Sequence, residues 1–356
     1  MRIALDASLW DEPTTGIGLY TRSLYGALKS LGTSVDRWGA RRSGEQPRRS
    51  LSRTRFFLDQ VPRLLERERP DVFHAVSNFN LPLQKVQGVR LVLTVHDLIP
   101  LLLPHTVSAA FRWQFRLWLS RSLKVADAVV CVSETTRSSL LERFEVDPAK
   151  VHTVHNGVDH VDRVPPPDRT TVQYLDALGL PPSFFLYAGA LDARKNVGLV
   201  LAACARLRRE GRNPTLVLAG QRWFGSDGID NEIVKARHAG LDVRALGYLA
   251  DPVFYALMKR AHVFVFPSAY EGFGLPPLEA MRLGVPTIVS TGGALPEVCG
   301  AGAMQVDPQD EGALASALAQ LLDDPYARQQ LAQRGKERAA GFSWDQTARK
   351  VLGLYG

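Results

Sequence analysis

The amino-acid sequence predicts an α/β protein with two domains, each built around a mostly parallel β-sheet. Short apolar segments rich in β-branched residues alternate with helix-length segments, which favours parallel strands that helices cover on both faces. A proline-rich stretch interrupts this alternation once, at residues 160–182. A chain of 356 residues is also long for one compact core. We therefore expect two α/β domains joined by one linker.

The composition is typical of a globular protein, with 46% apolar and 22% charged residues. The sequence contains no run of about 18 apolar residues that could cross a membrane, and its first residues read as a strand rather than a secretory signal. The cysteines Cys131, Cys204 and Cys299 lie far apart in apolar surroundings, which indicates reduced core thiols and offers no zinc-binding spacing. These features predict a cytoplasmic protein.

The first domain begins with a short strand at residues 3–7, followed by a glycine-containing loop and a helix. Gly16 and Gly18 precede the predicted helix and could approach a phosphate, although such a turn is more often only a tight connection. Further strands are predicted at the segments DVFHAV, RLVLTVHD, DAVVCVS and KVHTVHN. His96 follows one of these strands, at the end of the sheet where ligands bind in such folds, so it is either a site residue or a packed core histidine.

A basic segment distinguishes the first domain, because Arg37 to Arg69 contains ten arginines and four acidic residues in a chain of net charge +7. The pattern predicts a basic loop over residues 41–55 and then an amphipathic helix that starts at Phe56. Arginines beside exposed aromatic rings suit an anionic membrane surface or an acidic glycolipid. A solvated basic face explains the charge as well, and no nucleic-acid-binding motif accompanies it. The segment is a candidate peripheral membrane contact.

The second domain repeats the alternation of strands and helices after a predicted linker at residues 161–182. Its strands are predicted at the segments FFLYAGA, PTLVLAG, DVRALGY, HVFVFPS and PTIVS. Gly189, Arg194 and Lys195 lie between the first of these strands and a helix predicted to begin at about Lys195. Two cations at a helix start oppose the helix dipole, so their placement favours a bound diphosphate over simply solvated cations.

The segment from Phe266 to Ser290 organises the chemistry of this domain. A strand ends before a loop with Glu271, Gly272 and Gly274, and two prolines then open a helix that carries Glu279 in its predicted first turn. Free backbone N–H groups and the positive end of a helix dipole meet at such a place and bind anions. Carboxylates accept hydrogen bonds from sugar hydroxyls, so the pair could hold a ribose and a hexose on either side of a phosphate. A solvated loop glutamate followed by a helix-start glutamate is the alternative.

Taken together, these motifs resemble family 4 of the retaining, GT-B-fold glycosyltransferases over essentially the whole chain. The resemblance rests on the order and spacing of TTGIGLYTRSLYGAL, TVHDLIPL, NGVD, GALDARKNV, GYLADPVFYALMKRAHVFVFPSAYEGFGLPPLEAMRLGVPTIVS and FSWDQTA. It implies two Rossmann-like domains with parallel sheets that face each other across a cleft. The first, residues 1–160, would bind the acceptor, and the second, residues 183–342, would bind the nucleotide sugar. A C-terminal helix at about residues 343–356 would pack back on the first domain.

The resemblance also implies a role for each motif residue. Glu279 would bind the ribose hydroxyls, and Glu271 would hold the donor hexose and its phosphate. Gly16 and Gly18 would lie on the first-domain side of the diphosphate, and His96 would lie beside the transferred sugar. The backbone that assists Glu271 would belong to Gly272, Phe273, Gly274 and Leu275.

Two cations would meet the diphosphate. Lys195 would contact it directly, and Gly189 would line the nucleotide site. Many members of the family carry an arginine directly after the glycine that corresponds to Gly189, where this chain has Ala190. Arg194 is expected to supply the missing positive charge.

The expected chemistry needs neither metal nor cofactor, since the sequence has no Asp-x-Asp motif to hold a divalent ion on the diphosphate. The charge of the leaving group would be met by Lys195, Arg194, loop amides and the helix dipole. Retention by double displacement would need a carboxylate nucleophile on the far face of the sugar, and the sequence shows no clear candidate. The predicted mechanism is same-face substitution, in which the leaving phosphate oxygen helps to deprotonate the acceptor hydroxyl.

The predicted function is transfer of a hexose, by similarity mannose from GDP-mannose, to a saccharide or lipid-linked saccharide acceptor in surface polysaccharide assembly. TGIGLYTRSL, TVHDLIPL and RKN resemble the bacterial mannosyltransferases of this pathway. The enzyme would work in the cytoplasm or at the inner face of the cytoplasmic membrane. Three alternatives stay open: a UDP-sugar-dependent transferase of the same fold, a sugar-nucleotide epimerase that needs no acceptor, and a non-catalytic membrane adaptor that acts through the arginine-rich segment.

Overall fold

The computed structural model describes most of the chain, over residues 1–11, 16–39, 56–221 and 227–356. These residues form two compact units, the first made of Met1–Gly157 with Ser343–Gly356 and the second of Val158–Phe342. Each unit contains one six-stranded sheet whose paired strands are all parallel, with helices between most successive strands. The predicted α/β class with parallel sheets is therefore confirmed.

The sheet of the first unit is built from strands that the apolar pattern largely anticipates. Its strands are Arg2–Asp6 (β1), Ser34–Trp38 (β2), Val72–Ala75 (β3), Arg90–Val95 (β4), Ala128–Cys131 (β5) and Val151–Thr153 (β6). Their order across the sheet is β2-β1-β3-β4-β5-β6. Strands β3 and β5 are buried along their whole length, and β1 and β4 expose only their first residue. Continuous apolar runs of this kind are expected of strands that are covered on both faces.

The helices of the first unit surround this sheet. They are Gly16–Ser30 (α1), Val61–Glu68 (α2), Ile99–Leu102 (α3), Ala109–Val125 (α4), Glu134–Arg143 (α5) and the C-terminal helix Trp344–Leu352. A serine precedes three of them and accepts a hydrogen bond from a first-turn N–H group, at Ser108, Ser133 and Ser343. Such N-caps satisfy an N–H group that the helix itself leaves unpaired.

The sheet of the second unit has the order β12-β11-β10-β7-β8-β9. Its strands are Phe185–Ala188 (β7), Thr215–Ala219 (β8), Asp242–Gly247 (β9), Val263–Phe266 (β10), Thr287–Ser290 (β11) and Met304–Val306 (β12). Its helices are Arg169–Ala177 (α6), Val197–Arg209 (α7), Asp227–His238 (α8), Asp251–Arg260 (α9), Leu275–Arg282 (α10), Leu295–Cys299 (α11), Glu311–Asp323 (α12) and Pro325–Ala340 (α13). Strands β7 and β10 are neighbours at the centre, and the chain winds away from them in opposite directions.

The C-terminal residues and the proline-rich stretch each belong to one unit. The C-terminal helix packs in the first unit, where Trp344 is fully buried and Thr347 Oγ1 donates a hydrogen bond to the His155 carbonyl over 2.7 Å. A Cβ atom at Gly157 would collide with the backbone of Trp344, so the close approach of these segments requires glycine. Residues 158–182, which include the whole predicted linker, fold within the second unit, where helix α6 packs against α9.

Two strands escaped the sequence pattern, and both lie at an edge of a sheet. Strand β2 reads Ser-Val-Asp-Arg-Trp and buries only Val35 and Trp38, while β12 has three residues. Edge strands need no continuous apolar run because one side of each strand faces no neighbour. Neither strand has the continuous apolar run from which the central strands were predicted.

The basic segment only partly follows its prediction. Residues 40–55, which contain the predicted basic loop, lie outside the described residues. A π-helical turn at Phe56–Gln60 leads directly into α2, as the amphipathic pattern predicts. The expectation that its aromatic rings are exposed is wrong, because Phe56 and Phe57 are buried in the core of the first unit. The apolar stripe of the helix covers the sheet, and Arg63 and Arg67 on its other side face the solvent.

Candidate functional site

The carboxyl ends of β7 and β10 form the topological switch point of the second sheet. Loops that leave two neighbouring strands in opposite directions open a crevice there, which is the general ligand site of such sheets. The loop after β7 carries Arg194 and Lys195, and the loop after β10 carries Glu271. The fold alone therefore brings these three predicted site residues to the same end of the sheet.

The loop after β7 fixes its two cations in a single helical turn. Residues Ala193–Lys195 form a 3₁₀ turn that Asp192 caps, since its carboxylate accepts a hydrogen bond from the Lys195 N–H group over 3.0 Å. Asn196 then adopts a left-handed conformation, with φ of 60°, and its side-chain amide donates to the Pro308 carbonyl over 2.7 Å. Helix α7 begins after this residue, so the cations precede the helix instead of occupying its first turn.

Glu271 binds both cations through one oxygen atom. Its Oε1 accepts from Lys195 Nζ at 2.6 Å and from Arg194 Nη1 at 2.7 Å. The side chains of these three residues are only 12–14% exposed. Arg194 Nη1 also donates to the Tyr270 carbonyl over 2.6 Å and to Ser268 Oγ over 3.3 Å. Arg194 thereby ties the loop after β7 to the loop after β10.

The electrostatics of this cluster keep Glu271 ionised. Burial opposes the charged form, but the positive charges of Lys195 and Arg194 outweigh it and hold the pKa of the Glu271 carboxyl below its usual range. The Lys195 ammonium also lies 4.6 Å from the centre of the Phe266 ring, a distance at which the ring face attracts a cation. A Cβ atom at Gly189 would stand 3.9 Å from Lys195 Cε, so this glycine lies beside the lysine side chain.

The loop between Glu271 and helix α10 is packed tightly enough to require glycine. Gly274 has φ of 99°, and a Cβ atom there would lie 2.6 Å from Leu295 Cδ2. Gly293, with φ of 60°, packs against the backbone of Glu271, and Ala294 N–H donates to the Glu271 carbonyl over 2.9 Å. The loop that contains Gly272 and Phe273 is thus held between its own helix and the segment after β11.

Glu279 lies deeper than the sequence suggested. Helix α10 begins at Leu275, so Glu279 falls in its second turn and the predicted first-turn position is wrong. Its side chain is 6% exposed, and its Oε1 accepts from His160 Nε2 over 2.9 Å and from the Tyr255 hydroxyl over 3.2 Å. The sequence analysis identified neither partner. His160 lies 119 residues from Glu279 and Tyr255 lies 24 residues from it, and no sequence pattern links either residue to a glutamate.

His96 lies in the first unit, directly after β4. Its ring Nε2 donates to the Val76 carbonyl over 2.7 Å, and its backbone N–H group donates to Asn78 Oδ1 over 2.8 Å. The Tyr20 ring packs edge-on against the imidazole, with ring centres 4.9 Å apart. Removal from water lowers the pKa of His96 to about 4. His96 is therefore neutral at physiological pH, and because Nε2 carries the proton, Nδ1 is a hydrogen-bond acceptor.

The predicted glycines of the first unit lie inside helix α1 and not in the loop before it. Helix α1 starts at Gly16, and Gly18 is buried in its first turn. The dipole of a helix favours an anion near its start, and the backbone of Gly16 and Gly18 belongs to this part of α1. The switch point of the first sheet lies between β1 and β3, and α1 follows β1.

The comparisons with known proteins point to one family. The profile "Glycosyltransferase Family 4" matches residues 14–162, and the profile "Glycosyl transferases group 1" matches residues 177–338. O-antigen chain mannosyltransferase B of Escherichia coli is 30% identical to this chain over 292 residues. The match covers 81% of this chain and 75% of that protein.

Solved structures show the same fold. Sucrose-phosphate synthase from Thermosynechococcus elongatus has a TM-score of 0.74 and 23% identity, and the match covers 100% of this chain and 98% of that one. HepE from Anabaena, solved in complex with UDP and glucose, has a TM-score of 0.73 and 17% identity over 99% of this chain and 98% of that one. Two Rossmann-like units with parallel sheets are the GT-B fold. The chain belongs to the group 1 glycosyltransferases and is a hexosyltransferase of this fold.

Proposed function

We propose that this glycosyltransferase transfers mannose from GDP-mannose to a lipid-linked saccharide, with retention of the anomeric configuration and without a metal ion. One observation carries the proposal: Glu271 is held by Lys195 and Arg194 at the switch point of the second sheet, directly before helix α10. This arrangement brings positive charge, the backbone N–H groups at the start of a helix and a carboxylate to one place. A nucleotide sugar needs these groups for its diphosphate and its hydroxyls.

The donor diphosphate is assigned to Lys195 and to the start of α10. An ammonium group has three N–H donors, and the bond to Glu271 uses one of them. The amides of Gly272, Gly274 and Leu275 precede the prolines of α10, where the helix dipole favours negative charge. Arg194 contributes its charge while its contacts with Tyr270 and Glu271 hold the loop in place.

The two glutamates are assigned to the two sugars of the donor. Both cations bind Oε1 of Glu271, and a carboxylate has about four lone-pair positions, so this group can also accept from hydroxyls of the hexose. Glu279 is assigned to the ribose hydroxyls, and its partners His160 and Tyr255 likewise both bind a single oxygen, Oε1. His96 is assigned to the transferred sugar, towards which its neutral Nδ1 would accept a hydrogen bond.

The proposed reaction breaks the bond between C1 of the hexose and the β-phosphate oxygen. The acceptor oxygen forms its bond to C1 on the same face, and its proton moves to the leaving phosphate oxygen. Lys195 and Arg194 stabilise the negative charge that develops on the diphosphate, which is the role of a metal ion in enzymes that use one. The products are the glycosylated acceptor and GDP.

The choice of mannose and of a polysaccharide acceptor is supported by the mannosyltransferase relative from Escherichia coli. The UDP bound to HepE favours a second candidate, a UDP-sugar-dependent transferase that would use the same residues. A lipid-linked acceptor and a peripheral membrane contact complete the proposal.

Turnover with a panel of nucleotide sugars in EDTA tests this function. We expect GDP-mannose to be consumed only when a saccharide acceptor is added, and the linkage in the product, read by NMR, to keep the donor configuration. Lys195→Met should abolish turnover, while Lys259→Met, an exposed lysine of the same unit, should not. Turnover that needs added metal, an inverted linkage, or a new sugar nucleotide formed without acceptor would each contradict the proposal.

A further inference from the structure

Helix α4 of the first unit carries apolar side chains on its solvent face. Trp113 is 68% exposed and Leu117 is 41% exposed, although Phe115 and Leu119 on the opposite side of the helix already form its buried face. Trp113 and Leu117 are one turn apart, so they lie side by side. Phe111 of the same helix is a second exposed ring, and it is 43% exposed. Exposed apolar residues usually occur singly, so a cluster on one helix indicates a surface that binds something.

The charge around this cluster has one sign. Between Asp97 and Asp127 the chain has no acidic residue, and helix α4 carries Arg112, Arg116, Arg121 and Lys124. Helical geometry places Arg112 and Arg116 on one side of the Trp113–Leu117 row and Arg121 on the other side. An apolar row between basic residues is the pattern of a helix that lies in the interface of an anionic membrane.

A groove beside the row offers room for lipid headgroups. Its volume is about 750 Å³, and it is lined by Leu101, Ala109, Arg112, Trp113, Arg116, Glu142 and Arg143. Glu142, the acidic residue of this lining, forms an ion pair with Arg143 at 3.0 Å. Arg112 and Arg116 therefore give the groove its excess positive charge, next to the ring of Trp113.

We propose that the α4 surface, defined by Arg112, Trp113, Arg116, Leu117 and Arg121, docks on an anionic phospholipid membrane. Tryptophan prefers the headgroup level of a bilayer, where its ring is apolar and its N–H group is hydrated. The basic residues around it are attracted by the negative surface potential of anionic lipids. The segment Arg37 to Arg69 is a poorer candidate for this contact, because its described aromatic rings, Trp38, Phe56 and Phe57, are buried.

Vesicle binding by the full-length chain tests the proposal. Wild-type protein should cosediment with vesicles that contain phosphatidylglycerol and not with vesicles of phosphatidylcholine alone, and binding should weaken as salt rises. One basic residue near an anionic surface strengthens binding roughly fivefold, so Arg112→Gln combined with Arg116→Gln should weaken it about 25-fold. Trp113→Ala combined with Leu117→Ala should reduce binding by removing the inserted side chains.

The matched control uses the other basic surface of the same unit. Arg63 and Arg67 are exposed on α2, so Arg63→Gln combined with Arg67→Gln makes the same charge change there. This control should bind vesicles as the wild type does. If the control loses binding and the α4 variants keep it, the membrane contact belongs to Arg37 to Arg69 and the proposal is wrong.

Tryptophan fluorescence reports the contact directly. Because Trp113 is largely exposed, its transfer to the lipid interface should shift the emission to shorter wavelength when phosphatidylglycerol vesicles are added. Trp113→Phe keeps an aromatic ring and should remove most of this shift while vesicle binding persists. A shift that is unchanged in Trp113→Phe would overturn the proposal. It would also be overturned if no vesicle binds and the wild type forms a dimer that dissociates when Trp113→Ala is combined with Leu117→Ala. The second outcome would assign the surface to another copy of the chain.

A separate observation concerns the support of Glu279. His160 lies in the 3₁₀ turn Asp159–Arg163, and Asp162 of the same turn forms an ion pair with Arg282 of α10 at 2.5 Å. The turn is thus fastened to α10 at two points, and one of them is the bond from His160 Nε2 to Glu279 Oε1. We infer that His160 is a positioning residue that fixes the Glu279 carboxylate for the donor ribose. This inference rests on the proposed function of Glu279.

Donor kinetics separate the inference from the proposal on which it rests. His160→Ala should raise the KM for GDP-mannose about tenfold with little change in kcat, because the loss concerns donor binding. His160→Gln, whose side-chain amide can donate to the same oxygen, should recover most of the affinity. If Glu279→Ala weakens donor binding but His160→Ala does not, the role of His160 is wrong. If Glu279→Ala has no effect, the assignment of the ribose to Glu279 is wrong.

Discussion

Replacement of Glu271 by glutamine isolates the charge of the buried cluster, because the two side chains have nearly the same shape. In the wild type the carboxylate accepts from Lys195 and Arg194, and all three side chains are mostly buried. Glutamine would leave two buried cations beside a neutral amide. Removal of one partner from a buried ion pair costs about 3–5 kcal/mol. Arg194 keeps Asp192 at 3.7 Å and the Tyr270 carbonyl, so we expect the lower end, about 3 kcal/mol.

Thermal unfolding measures this cost without any ligand. For a domain of this size, 1 kcal/mol corresponds to about 2–4 °C, so the unfolding of the second unit should move down by roughly 6–12 °C. Glu210→Gln makes the same chemical change in an exposed ion-pair group with Arg206 and Arg212, where about 0–1 kcal/mol is expected. If Glu271→Gln shifts the melting temperature no more than Glu210→Gln does, charge does not hold the cluster together.

The stability difference between the wild type and Glu271→Gln should also depend on pH in a predictable direction. The folded-state pKa of Glu271 is lowered from an ordinary value of 4.5, because Lys195 and Arg194 outweigh the cost of burial. A carboxyl with a lowered pKa adds stability above its unfolded-state pKa and loses this contribution as the pH falls through its folded-state pKa. The difference in unfolding free energy between wild type and Glu271→Gln should therefore be constant above about pH 5.5 and shrink in more acidic solution. A difference that grows on acidification would refute the assignment.

Two further predictions concern backbone strain and buried histidines. Gly274→Ala should lower the unfolding free energy by about 1–3 kcal/mol, because the residue has φ of 99° and the new Cβ would contact Leu295. A denaturant titration measures this loss. The control variant Gly228→Ala, which has open space around the new Cβ, should not lower the unfolding free energy. Burial lowers the pKa of His74 to about 3 and that of His96 to about 4. Between about pH 6.5 and pH 4 the unfolded chain therefore takes up protons that the folded chain does not. The first unit should lose stability as the pH falls through this range. NMR titration of both rings checks this, and a midpoint near 6.5 for either would contradict it.

The sequence predicted the fold class and the central strands because buried parallel strands need continuous apolar runs. It also placed Arg194, Lys195 and Glu271 at strand ends, which is where the structure has them. Their contact distances of 2.6–2.7 Å follow from a further fact, that β7 and β10 are neighbours in the sheet. Strand order is a property of the whole fold, and no local pattern around Arg194 or Glu271 contains it.

The features that the sequence missed depend on distant packing. His160 and Tyr255 reach Glu279 only after three separate segments have folded together, and no sequence pattern links either residue to a glutamate. The burial of Phe56 was missed for a related reason. An amphipathic helix shows from its sequence that it has an apolar stripe, but it does not show whether a sheet or a membrane covers this stripe. The exposed row on α4 was missed because the buried face of the same helix already accounts for an apolar pattern.

Calorimetric titration with GDP-mannose and GDP in EDTA tests the central claim most directly, that the second unit holds a nucleotide sugar through Lys195 and Glu279. The wild type should bind both ligands without metal. Lys195→Met should lose most of its affinity for both, since both carry the diphosphate, and Glu279→Ala should lose it for both through the ribose. Affinities that are the same in all three proteins, or binding that appears only after a divalent metal is added, would contradict the account.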